Sequence, residues 1–92
     1  MTNWLIYIIQ CNDNSYYTGI TNNLEKRIKN HNLGTASKYT RVRLPVKLVY
    51  TENNYDRSSA SKREYEIKQL TRIQKEALIK NYNTKEDIIK KK

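Results

Sequence analysis

The apolar positions of this 92-residue chain alternate between strand-like and helix-like spacing. Trp4-Leu-Ile-Tyr-Ile-Ile-Gln-Cys11 is β-branched and aromatic and apolar at both parities, so it reads as a central strand covered on both faces. Asn12-Asp-Asn-Ser15 is turn chemistry, because Asn and Asp tolerate left-handed backbone and hydrogen-bond to it. Tyr16-Tyr-Thr-Gly-Ile-Thr21 then returns as the second strand of a hairpin. Asn22 or Asn23 caps a helix to about Asn32, with Leu24 and Ile28 one turn apart as its buried stripe, and Gly34 ends that segment. Residues 35–44 form a basic loop, and Pro45 precedes a short strand with period-2 alternation, Val46 to Thr51. Ser58 or Ser59 opens a second helix to about Leu70, and Thr71-Arg-Ile-Gln74 has capping-box spacing for a third. Thr84 starts a short frayed turn before the closing lysines. The order β-β-α-β-α-α predicts an α+β fold with a small three-stranded mixed or antiparallel sheet flanked by helices. One domain over residues 1–83 and a basic, frayed tail over 84–92 are expected.

Composition narrows the classes open to such a fold. The length suits a single domain with a thin core, burying about 60–65% of its unfolded surface. The longest apolar run, Trp4 to Ile9, is far below the roughly 20 residues of a membrane span, and no signal peptide is expected. A lone cysteine, Cys11, excludes an internal disulfide and makes the cytoplasm the default compartment. One Cys and one His cannot make a four-ligand zinc site.

The 18 Lys and Arg against 9 Asp and Glu give a formal charge of +9. The excess is local: from Lys26 to Lys47 there are seven basic residues and no acid. Such a block, with Tyr39 and His31 interleaved, suits a polyanion, most simply nucleic acid. A solvated surface, an acidic protein or an anionic membrane would need the same charge.

Three constellations go further. Glu64 falls on the apolar face made by Ala60, Ile67 and Leu70, where a carboxylate is costly unless it is paired with a base or holds a metal. Arg27 and His31, at i and i+4, stack in a column beside the Leu24/Ile28 stripe at the border of core and solvent. They suit phosphate binding and proton handling, or simply a solvated face. Tyr7 and Tyr17 lie on the two hairpin strands, and Gly19 marks a bulge or a close backbone approach. Pairing residue i with 27−i puts the two tyrosines on opposite faces; an odd-numbered loop or a bulge puts both hydroxyls on one face.

Together these residues resemble the GIY-YIG nuclease superfamily. Leu5-Ile6-Tyr7 stands at the first signature tripeptide and Tyr17-Thr18-Gly19 at the second, followed in order by Arg27, His31 and Glu64. The likeness is greatest to the small stand-alone (YhbQ-like) group and to the N-terminal nuclease domain of the bacterial excision-repair incision subunit. It extends over roughly residues 4–80, including Lys38-Tyr-Thr-Arg41 and Pro45 to Tyr50. Leu5 and Thr18 depart from the signature's Gly and Ile but leave both tyrosines in place. Ile20 stands where some relatives carry a basic residue.

The resemblance implies a metal-dependent endonuclease, acting on DNA more than RNA, in repair or processing. Tyr7, Tyr17, Arg27, His31 and Glu64 would be its catalytic residues, with one Mg²⁺ or Mn²⁺ on Glu64. Arg27 would neutralise the transition state, and Tyr7 would orient or deprotonate the attacking water, in a network with Tyr17 and His31. Lys29, Lys38, Tyr39, Arg41 and Arg43 would bind the nucleic acid, Tyr39 by stacking unless it only closes the core. Asn81 is a further candidate for the site. A protein partner could supply specificity. The alternatives are a nucleic-acid-binding module with little turnover, and a protein-interaction adaptor.

Overall fold

The computed structural model describes the backbone of residues 3–90 and side chains as far as Tyr82. Strands β1 (Trp4–Gln10), β2 (Tyr16–Thr21) and β3 (Lys47–Tyr55) form one sheet in the order β2-β1-β3, antiparallel throughout. The helices are α1 (Leu24–Asn32), α2 (Lys38–Arg41), α3 (Arg57–Lys68) and α4 (Arg72–Lys90). This is the α+β architecture the patterning predicts, with two refinements. The basic loop 35–44 contains the one-turn helix α2, capped by Ser37, and β3 runs four residues past Thr51. The break expected at Thr84 is absent, because α4 continues to Lys90; Lys91 and Lys92 lie outside the described residues.

β1 is central, and its two parities feed two cores. Ile6 and Ile8 pack with Tyr50, Ala60, Ile67 and Ile79 beneath α3 and α4. Tyr7, Ile9 and Cys11 pack with Val46, Leu24 and Ile28 beneath α1. Ile6 through Ile9 are wholly inaccessible, and each such side chain contributes about 1.5–3 kcal/mol by leaving water.

The hairpin loop sets which side chains meet. Cys11 to Ser15 is a five-residue connection in which Asn14 takes a left-handed φ of 68°. The pairing is Tyr7 with Gly19 and Ile9 with Tyr17, one step from the even-loop register. Tyr7 and Tyr17 therefore share a face of the sheet.

Caps place the helices. The Asn23 side chain accepts from Lys26 N, and Gly34, at φ 79°, accommodates the turn after α1. The cap of α3 is Asp56 rather than Ser58 or Ser59: its carboxylate accepts from Ser59 N at 2.7 Å while Ser59 Oγ accepts from Asp56 N. Asp56 ends β3 directly, so the helix starts earlier than a serine cap allows. The Thr71/Gln74 box opens α4 as its spacing predicts.

A polar cluster then locks α3 to the sheet. The Arg63 guanidinium holds Glu52 through two bonds of 2.9 Å, and the Tyr50 and Tyr55 hydroxyls donate to the same carboxylate. Arg63 thereby ties α3 to β3 one residue before Glu64.

Candidate active site

The site is built where α1 crosses the Tyr7/Tyr17 face of the sheet. Tyr7 is fully buried, with its hydroxyl 2.9 Å from His31 Nε2 and receiving Arg27 Nε–H at 3.2 Å. His31 Nδ1 lies 2.9 Å from the Thr40 hydroxyl, which itself reaches the Ser37 carbonyl at 3.4 Å. The Tyr17 ring meets His31 edge-on, with centroids 5.3 Å apart.

The helical column of Arg27 and His31 exists, but His31 is not at the core–solvent border. It is completely buried, because α2 and the Tyr17 ring close over it. Arg27 remains half-buried, and its open side lines a shallow groove with Thr21, Asn23, Lys26 and Asn30. Its Nε is spent on Tyr7, while neither Nη has a partner among the described residues.

Electrostatics follow from burial. Desolvation, and after it the positive charge of Arg27, push His31 down to about 4, so the ring is neutral at neutral pH. Burial raises the Tyr7 hydroxyl above its ordinary value, against the pull of Arg27. The Glu64 carboxylate pushes it the same way, which puts α3 within electrostatic reach of Tyr7.

Glu64 is half-buried at the edge of the α3 stripe, between the fully buried Ala60 and Ile67. Its ion pair is with Lys68 at 3.6 Å. Among the described residues, no three His, Cys, Asp or Glu side chains converge into a metal cage. A single accessible carboxylate with a loose partner still fits a hard divalent cation, which takes one or two carboxylates and completes its shell with water and phosphate oxygens.

The candidate nucleic-acid residues divide. Lys29, Lys38 and Arg41 are exposed. Arg43 is engaged: it pairs with Asp13 at 3.0 Å, donates to the Tyr39 carbonyl and lies 3.9 Å from the Tyr39 ring centroid. The Tyr39 ring also stacks with Tyr17, centroids 6.1 Å apart, and stays exposed. Asn81 lines a separate groove with Tyr50, Glu52 and Leu78, away from the Tyr7 cluster.

Sequence reasoning missed Thr40, whose partner is nine residues away with no periodic signal between them. It also missed Lys68 and Lys75, which with Tyr16, Tyr17, Thr18 and Tyr39 line a groove of about 260 Å³ along β2. The i, i+4 spacing of Glu64 and Lys68 was the available clue for the first lysine.

The antiparallel three-stranded sheet with its helices is the fold of the GIY-YIG class of nucleases. The GIY-YIG catalytic domain matches residues 3–86, and the chain belongs to that family. Within it, the chain is similar to the UPF0213 protein of Clostridium perfringens, at 57% identity over 89% of this chain and 88% of that relative. The solution NMR structure of the UPF0213 protein of Bacillus halodurans is 43% identical, with a TM-score of 0.54 over 84% of this chain and 82% of the other. That of a protein from E. faecalis is 40% identical, with a TM-score of 0.59 over 91% and 93%. The superfamily is one of nucleases, so the substrate class is nucleic acid. Among the described residues no helix is long and apolar enough to cross a membrane.

Proposed function

We propose that the protein is a divalent-metal-dependent endonuclease that hydrolyses phosphodiester bonds in DNA. The observation that carries this reading is Arg27 itself. Its Nε is anchored on a buried tyrosine while both Nη groups stay available, which leaves a planar fork for a phosphate.

In this reading Arg27 binds the scissile phosphate and offsets charge that grows on its oxygens in the transition state. Tyr17, half-buried and with no hydroxyl partner among the described residues, orients the attacking water. The water oxygen bonds to phosphorus and its proton passes to the Tyr7 oxygen, as the Tyr7 proton passes to His31 Nε2. The electron pair of the broken P–O bond leaves on the sugar oxygen, which is protonated from solvent. Held by Glu64, Mg²⁺ or Mn²⁺ would supply Lewis-acid stabilisation of charge on the phosphate and leaving oxygens. Lys29, Lys38 and Arg41 add sequence-independent attraction to the backbone.

Incubation of single-stranded and supercoiled DNA with Mg²⁺ or Mn²⁺, with and without chelator, tests the proposal. Cleavage that chelator and Glu64→Ala each abolish is the expected result. Cleavage undiminished by Glu64→Ala would overturn it. A nucleic-acid-binding module with little turnover is the second reading, favoured by the complete burial of Tyr7. Salt-sensitive binding with no metal-dependent product would select it.

A further inference from the structure

The hydrogen-bond chain through Tyr7 has a direction, and donor–acceptor accounting assigns it. The Tyr7 hydroxyl has one hydrogen and two polar neighbours among the described residues, Arg27 Nε and His31 Nε2. Arginine can only donate, so the Tyr7 hydrogen goes to Nε2. A neutral imidazole then carries its own hydrogen on Nδ1 and donates it to Thr40 Oγ1 at 2.9 Å. The Thr40 hydrogen goes on to the Ser37 carbonyl. Run this way, every donor is satisfied. Run the other way, Tyr7 faces two donors and its own hydrogen has no acceptor among the described residues, a cost of about 1–3 kcal/mol in general for a buried donor.

We propose that Thr40 is a positioning residue: its hydroxyl, held by the Ser37 carbonyl, accepts the Nδ1 hydrogen of His31 and so stabilises, from the opposite end of the chain to Arg27, the tautomer that makes Tyr7 an acceptor. With Nε2 bare, the Tyr7 hydrogen goes to His31 and its remaining lone pair is the one left for the attacking water of the hydrolytic reading. With Nε2 protonated, Tyr7 would present a hydrogen to that water and could not take its proton. Thr40 and His31 are both fully buried, so no solvent molecule substitutes for the hydroxyl. The basic loop thereby gains a role besides attraction, since α2 carries the group that sets the polarity of the whole chain.

The catalytic half of this inference rests on the hydrolytic reading above; the tautomer half does not. The test is ¹⁵N NMR of the histidine ring, which is unambiguous because His31 is the chain's single histidine. Wild type and Thr40→Ser are expected to show a protonated Nδ1 and a bare Nε2. Thr40→Val, which keeps the volume and loses the hydroxyl, is expected to shift the ring towards Nε2–H. With DNA as substrate, kcat of Thr40→Val should fall about 10- to 100-fold with KM nearly unchanged, and Thr40→Ser should restore it. Should valine prevent folding, Thr40→Ala removes the same hydroxyl. A wild-type ring protonated on Nε2, or a Thr40→Val ring whose Nε2–H population is no higher than wild type's, overturns the inference. A shifted tautomer with unchanged kcat overturns its catalytic half. A wild type that cuts no DNA while the tautomer still responds to Thr40→Val sinks the hydrolytic reading and leaves the tautomer assignment standing.

Discussion

The hydroxyl end of Tyr7 lies against the backbone of Gly19, its cross-strand partner, so that a Cβ at position 19 would fall 2.6 Å from Tyr7 Cζ. Glycine here is a requirement of close approach: the Tyr7 ring occupies the space a side chain would need. Tyr7 can then reach His31 and Arg27 while remaining beneath β2.

Gly19→Ala should therefore displace the Tyr7 ring or bend β2. Overpacking of this kind costs about 1–3 kcal/mol, read as a lower urea midpoint. Nuclease activity should fall by more than the lost stability explains, since Tyr7 would leave its partners. A variant as stable and active as wild type would contradict the close-approach requirement at position 19.

Arg27→Lys keeps the charge but loses both Nε and the fork. Loss of one oriented donor to a developing oxyanion costs about 10²- to 10³-fold in kcat, and a similar loss is expected. The fold should survive, because Arg27 is half-buried and Tyr7 keeps His31. Cleavage rates at saturating DNA are the measurement; a loss confined to KM would make Arg27 a binding residue only.

Stability should decline with acid in two stages. His31 ordinarily titrates near 6.5 and is held at about 4 in the fold, so the unfolded chain binds more protons between those values. Its contribution, about 3 kcal/mol by linkage, is complete above roughly pH 6.5 and is lost as pH falls towards 4. Glu52 follows: burial works against its charge, but the bonds from Arg63, Tyr50 and Tyr55 prevail and hold it at about 2. Its contribution is present above its ordinary 4.5 and is lost on further acidification. Urea unfolding between pH 8 and 3 reads both stages, and a midpoint flat from pH 7 to 5 would contradict the first.

Arg63→Met should be costlier than its surface position suggests. It leaves Glu52 half-buried with only two tyrosine hydroxyls, and breaking a buried pair from one side typically costs about 3–5 kcal/mol, less here because Arg63 is partly solvated. Since the pair fixes α3, DNA cleavage should suffer although Arg63 is remote from the Tyr7 cluster. Replacing both residues together, Glu52→Gln with Arg63→Met, should recover part of the stability, as a double-mutant cycle would show.

Arg43→Ala and Lys38→Ala should separate bracing from binding. Arg43 is spent on Asp13, the Tyr39 carbonyl and the Tyr39 ring, so its loss should lower stability and leave the salt dependence of DNA binding near wild type. Lys38 is exposed, so its loss should leave stability alone and reduce the salt slope by about one.

Much of this molecule is local chemistry and could be read residue by residue. The doubly apolar run from Trp4 demanded a central strand, Asn12 to Ser15 a turn, and Thr71 with Gln74 a helix start. Each depends only on side chains within a few positions. The order Tyr7, Tyr17, Arg27, His31, Glu64 was likewise visible, because the signature of the family is written along the chain. What distance along the chain conceals is which groups face one another. A single residue in the hairpin loop decides whether Tyr7 and Tyr17 share a face. The burial of His31 depends on α2 folding back over α1, and the rigidity of α3 on Glu52 meeting Arg63 eleven residues later. The tertiary structure alone supplies Thr40, since a hydrogen bond between two buried side chains leaves no period in the sequence. The sequence by itself determined the elements and the chemical groups; only the packed structure decided the direction in which their protons point.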